Sequence, residues 1–284
     1  MPIPTRVLVV GMVHEDGTIR AEEVYPVAEA CGQTADQVRS CLRRLVAEGA
    51  FNREGAGRAA VYRATEAGFR HLGATVERTR LAYVQDAAGR GWDRYWHLVA
   101  FAIPERNRTR RDSLRDRLLE LGGAPLQGGL YVSPHPWHKD VRAEADRLGV
   151  TVTLARTDDL EVAGERDPRE LARQLWDLDG VAGRYRAFVE QHRFMLDGLD
   201  TMKKSRQRLP DTAFLPGALA MAVAFAEVFK DDPLLPPELL PRPWPGRAAR
   251  DLLVKSRRLA LGLRQTPGRP ALFRMFDDAI DAIA

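Results

Sequence analysis

Cysteine is scarce in this chain: Cys31 and Cys41 are the only 2 among 284 residues. So few thiols exclude a disulfide scaffold and fit a reducing cytoplasm. Cys41 falls within an apolar stripe and reads as a small core hydrophobe. No apolar run approaches the ~20 residues of a membrane span. Ile3 to Val13 is too short for a signal peptide and lacks a small-residue cleavage site. Catalytic signatures are missing too, with no Gly-x-Ser-x-Gly elbow, no phosphate-cradling glycine loop and no His-Glu-x-x-His. His135 and His138 stand three apart at a loop-to-helix junction, and two ligands without a third read as turn residues, not as a metal site. These absences argue against an enzyme and against any cofactor or metal. What remains is an ordinary globular composition, 45% hydrophobic and 29% charged, long enough for two or three domains.

The net charge is only +4, so its placement matters more than its size. Thr34 to Thr65 reads TADQVRSCLRRLVAEGAFNREGAGRAAVYRAT. Thr34 followed by Gln37 is a capping-box signature. Val38, Cys41, Leu42, Leu45 and Val46 then recur at helical spacing, one apolar face of an amphipathic helix. Gly49 suits a left-handed C-cap. Phe51 to Arg53, a Gly-rich turn and Ala60 to Thr65 read as a hairpin. The outward residues are Arg39, Ser40, Arg43 and Arg44 on the helix, with Arg53, Arg58 and Arg63 on the hairpin. Against these six arginines stand only Asp36, Glu48 and Glu54. A basic helix face followed by a basic two-stranded wing can enter a major groove and hold flanking phosphates. A solvated Arg-bearing helix and an ordinary hairpin would carry the same pattern. Thr34, Arg39, Ser40, Arg43, Arg44, Arg53, Arg58 and Arg63 are the candidate DNA-binding residues.

In chain order, Ile3 to Val13 reads as a first helix, Thr18 to Arg20 as a short strand and Glu22 to Cys31 as a second helix. Pro26 is tolerable there only within a first turn. A helix from Thr65 to Ala87 carries Phe69, Leu72, Val76, Leu81 and Val84 as its apolar members. His97 to Ile103, Gly129 to Ser133 and Val150 to Leu154 read as strands, with helices over Arg108 to Leu121 and Trp137 to Leu148 between them. The predicted architecture is α+β: a winged helix-turn-helix over 1–88, a ferredoxin-like middle domain over 89–160 and a mainly α-helical domain over 161–284. Helices are expected at Pro168 to Leu178, Ala182 to Leu199, Thr212 to Phe229, Arg247 to Leu263 and from Ala271. The proline-rich stretch 231–246, DDPLLPPELLPRPWPG, is expected to wrap the helical domain in extended form and insert Trp244.

Four stretches together resemble one family. They are VRSCLRRLVAEGAF before the wing, WHLVAFAIPERNRTRRDSLRDRLLELGGAPLQGGLYVSPHPW from Trp96 to Trp137, LWDLDGVAGRYRAFV from Leu175 to Val189, and DPLLPPELLPRPWPG near the end. In that order they resemble the PaaX-type repressors of phenylacetate degradation. The resemblance implies a cytoplasmic homodimeric regulator that binds double-stranded DNA at a pseudo-palindromic operator and is released by an aryl-acyl-CoA such as phenylacetyl-CoA. Trp176, Tyr185 and Trp244 would then wall an effector pocket, with Arg184 and Arg193 near its phosphates. These aromatics could equally be core. One departure is Ala226 to Lys230, AEVFK, where family members carry more His and Arg. The competing reading is a metal-dependent nuclease, because ferredoxin-like domains also form small CRISPR-associated nucleases. Their metal-binding Asp has no counterpart at Phe101 to Pro104, and hard cations need oxygen ligands.

Overall fold

The computed structural model describes residues 3–265 and 272–276. By contacts the chain divides into two units, each assembled from separate segments. Met1–Val84, Arg186–Glu227 and Gly246–Ala284 form one; Gln85–Tyr185 and Val228–Pro245 form the other.

The first unit opens with α1 (Thr5–Gly11), β1 (Thr18–Arg20), α2 (Ala21–Ala30), α3 (Ala35–Ala47), β2 (Phe51–Glu54) and β3 (Val61–Ala64), after which α4 (Glu66–Ala88) leads on. The strands form an antiparallel sheet in the order β1-β3-β2, with Ile19 and Arg53 both opposite Tyr62. The apolar stripe of α3 falls inward as its spacing requires: Val38, Cys41, Leu42 and Leu45 are buried with Leu8, Val9, Ile19 and Val24. Each such leucine or valine contributes roughly 1.5–3 kcal/mol by leaving water. Pro26 lies well inside α2 and not in its first turn. That corrects the expectation of a late start. The buried residues Val24, Val27 and Ala28 hold the turn that Pro26 weakens by leaving the Glu22 carbonyl without its N–H donor. On α4 the apolar spacing misleads, because Phe69, Leu81 and Val84 are exposed while Ala82 and Gln85 are buried.

The second unit holds β4 (Trp96–Ala100), α5 (Arg108–Glu120), β5 (Ala124–Gln127), β6 (Leu130–Ser133), α6 (His138–Leu148), β7 (Thr153–Thr157) and α7 (Pro168–Leu175). Its four strands are antiparallel in the order β5-β6-β4-β7. Only three were expected. The missed strand, β5, contains Pro125 and an irregular register against β6, which an edge position tolerates and a sequence pattern conceals. β7 begins at Thr153, where it meets Ala100, later than the apolar run from Val150. Val150 and Val152 precede the ladder and pack beside Leu114, Leu118 and Val141 instead.

Three further helices follow: α8 (Leu178–Lys204), α9 (Asp211–Phe229) and α10 (Pro245–Leu263). α9 corrects the expectation that no apolar stretch nears membrane-spanning length, since its 19 residues have a mean hydropathy of 1.7. Pro216 and Gly217 interrupt that run in the sequence, yet the helix continues through both. Phe214, Leu215 and Leu219 of α9 are buried in the same core as α1, α2 and α3. The proline-rich stretch is extended, as its prolines require. It buries Leu235, Leu239 and Leu240 against Trp96 and Trp176, so it packs on the four-stranded unit and not on the later helices. The helix expected from Ala271 starts outside the described residues.

Candidate nucleic-acid interface

The outward face of α3 is fixed at its first residue. Thr34 Oγ1 accepts from the Gln37 N–H at 3.3 Å, and Gln37 Oε1 accepts from the Thr34 N–H at 2.7 Å. This closed capping box satisfies two orphan donors of the helix start. With Val38, Cys41, Leu42 and Leu45 turned inward, Arg39, Arg43 and Arg44 are exposed and Ser40 is half-buried. Arg53 and Arg63 are exposed on the hairpin strands, and Arg58 sits on a single 3-10 turn between them, Gly57–Ala59. The structure therefore brings every sequence-predicted residue of this set onto one helix face and the hairpin that follows it.

Their ion pairs divide them. Asp36 pairs with Arg39, which holds that guanidinium more firmly protonated. Glu54 pairs with Arg63 at 3.3 Å. Glu48 is taken by Arg6 of α1 at 2.7 Å. All three acids of the segment are thus occupied. Arg43 donates to Ser40 Oγ at 3.2 Å, but Arg43, Arg44, Arg53 and Arg58 have no ion pair among the described residues. Exposed guanidiniums without a carboxylate suit phosphate oxygens, which they can meet in a two-pronged arrangement. Tyr25 of α2 also acts on Arg39. Sequence reasoning missed it, because nothing in its spacing places α2 beside the start of α3. Burial pushes the Cys41 thiol above its ordinary value, and Cys31 likewise, so neither is poised as a thiolate.

Three family descriptions match successive parts of the chain: "PaaX-like protein" over residues 6–68, "PaaX protein central Cas2-like domain" over 89–172 and "PaaX-like protein C-terminal domain" over 176–262. The chain belongs to the PaaX family. It is 26% identical to the transcriptional repressor PaaX of Escherichia coli (strain K12) over 244 residues, 85% of this chain and 74% of that one. The uncharacterized protein Rv0674 from Mycobacterium tuberculosis has a similar fold, with a TM-score of 0.53 and 24% identity, covering 89% of this chain and 94% of that one.

The PaaX resemblance also singles out Trp176, Arg184, Tyr185, Arg193 and Trp244. Trp176 is buried, stacks on Trp96 at 6.3 Å and donates its indole N–H to the Gly122 carbonyl at 3.1 Å. Tyr185 is fully buried, donates to Asp232 at 2.7 Å and meets the Trp244 ring edge-on at 6.1 Å. Trp244 packs against the cluster containing Trp176. Arg184 lies within 3.9 Å of Asp177 and 3.8 Å of Asp231, and its Nε has no partner. Arg193 is exposed and belongs to the other unit, so it is not grouped with the rest. Glu105, the first carboxylate after β4, is paired with Arg111 at 2.6 Å.

Proposed function

We propose that this PaaX-family chain is a sequence-specific DNA-binding transcriptional regulator, a repressor and not an enzyme. The supporting observation is the set of four exposed arginines without carboxylate partners, Arg43, Arg44, Arg53 and Arg58, on a capped helix and its hairpin. In this reading residues 1–88 are a winged helix-turn-helix with α3 as the groove-reading helix and β2–β3 as the wing. Residues 89–160 are a ferredoxin-like domain and 161–284 a helical domain. The protein works in the cytoplasm as a homodimer, so its two-fold symmetry is matched by a pseudo-palindromic operator. The name of the Escherichia coli relative supports repression.

The family further supports an aryl-acyl-CoA effector at Trp176, Arg184, Tyr185 and Trp244, with Arg193 contributing to its phosphates. Release requires that the effector bind a conformation other than the DNA-bound one more tightly, since equal affinity for both shifts nothing. The test is selection of bound duplexes from a random pool, followed by competition with phenylacetyl-CoA, phenylacetate and free CoA. The expected result is an enriched inverted repeat that is released by the thioester alone. No enriched sequence would refute the DNA-binding reading. Enrichment without release would refute only the effector.

A further inference from the structure

The fold separates the two histidines that stand close in sequence. His135 Nε2 lies 2.9 Å from the Leu234 carbonyl, whereas His138 turns to His97 of β4, the ring centroids 5.1 Å apart and nearly perpendicular. His97 is only 4% exposed. Its Nε2 lies 2.9 Å from Asp93 Oδ2, and a carboxylate there can only accept. His97 Nδ1 has no partner, and neither has His138 Nε2. Both rings line a cavity of about 430 Å³ together with Pro136, Leu154, Ala155 and Arg156. His138 is also the first residue of α6, an 11-residue helix whose start receives no side-chain cap. Its first-turn N–H groups therefore keep the partial positive charge of a helix N-terminus.

The surrounding charges decide which ligand such a cavity suits. Arg156 on β7, Lys139 and Arg142 on α6 and His97 on β4 supply positive or protonatable groups. The acids are Asp93, engaged by His97, and Asp140, exposed in the first turn of α6. No carboxylate lines the cavity, and no group of three or more metal-type ligands occurs among the described residues. A cation would sit among charges of its own sign.

We propose that this cavity is an anion site for a doubly charged phosphate or sulfate group, with His97 Nδ1 and His138 Nε2 as donors and Arg156 as counter-charge. The start of α6 backs the site, and Pro136, Leu154 and Ala155 leave an apolar wall for the organic part of an ester. With Asp93 accepting from Nε2, a protonated His97 offers its Nδ1–H to the anion. Burial, then the charge of His97, holds His138 below its ordinary value. The anion therefore draws a proton onto His138, and binding tightens as pH falls. Nothing here rests on the DNA-binding reading.

Titration calorimetry on the full chain tests it, using sulfate because its charge is constant between about pH 6 and about pH 8. The expected result is one site that binds roughly tenfold tighter at the lower pH, as uptake of one proton allows. Arg156→Ala and His138→Gln should each weaken it about tenfold without changing thermal unfolding of the free protein. Phenyl phosphate binding more tightly than inorganic phosphate would identify an ester as the ligand, and equal binding a free ion. Silence from sulfate and both phosphates at both pH values would overturn the proposal. So would binding that survives in both variants. Zinc binding lost in His138→Gln, without any sulfate binding, would replace it with a cation site.

Discussion

Arg43 and Arg44 sit one helical turn past a closed capping box, and it is the box that fixes where they point. Thr34 and Gln37 close it with bonds of 3.3 and 2.7 Å. Away from the interface, side-chain chemistry makes a pH-dependent claim at Glu144. This carboxylate is held below its ordinary value, first by its hydrogen bond to Arg147, with the two groups 2.5 Å apart. A depressed folded value means that the contribution is complete above the unfolded glutamate value of about 4.3 and is lost as pH falls through the folded one. Glu144→Gln should therefore cost about 0.5 kcal/mol at neutral pH and nothing once both states are protonated. Chemical denaturation across that range checks it; a cost that is independent of pH would contradict the assignment. At this scale the sequence was informative about direction and poor about partners. The inward Val38, Leu42 and Leu45 and the outward arginines follow from helical period alone. That Arg6 takes Glu48 and Arg63 takes Glu54 depends on how α1 and the hairpin return to α3, which no local pattern contains.

Among the elements, α2 is the one whose local preference and observed state conflict. Pro26 lies in its interior, where proline is about 3 kcal/mol worse than alanine. Pro26→Ala restores an N–H to the Glu22 carbonyl on an exposed face and should raise stability by about 1–3 kcal/mol, read from denaturant midpoints. Unchanged or lower stability would mean that the proline is accommodated without loss. The element pattern was legible wherever periodicity was strong, as in α3, α5 and α6. It failed for β5, an edge strand of four residues containing Pro125. It failed also for α9, where Pro216 and Gly217 mask a continuous apolar helix. On α4 the spacing chose Phe69, Leu81 and Val84 as the inner face, yet these are exposed. Period alone cannot say which side of a long connecting helix is covered.

At the level of the whole molecule, the two units are each assembled from distant segments, a grouping that a reading along the chain cannot see. Helices α9 and α10 complete the core of the N-terminal elements through Phe214, Leu219 and Ala260. The proline-rich stretch completes the core of the four-stranded unit through Leu235, Leu239 and Leu240. The aromatics Trp176 and Tyr185 were legible as buried residues but not as hydrogen-bonded ones, because their partners Gly122 and Asp232 lie 54 and 47 positions away. The central claim remains that the α3 face and its hairpin bind DNA. It is tested most directly by anisotropy titration of a selected duplex and a scrambled one over a range of salt, comparing the unaltered chain with Arg43→Ala, Arg44→Ala and Arg58→Ala combined. The expected result is a loss of about 1–3 kcal/mol for each base-reading arginine on the selected duplex. The salt slope should fall by about one unit for each phosphate contact removed. Identical affinity and salt dependence in the triple variant, with its fold intact, would contradict the account.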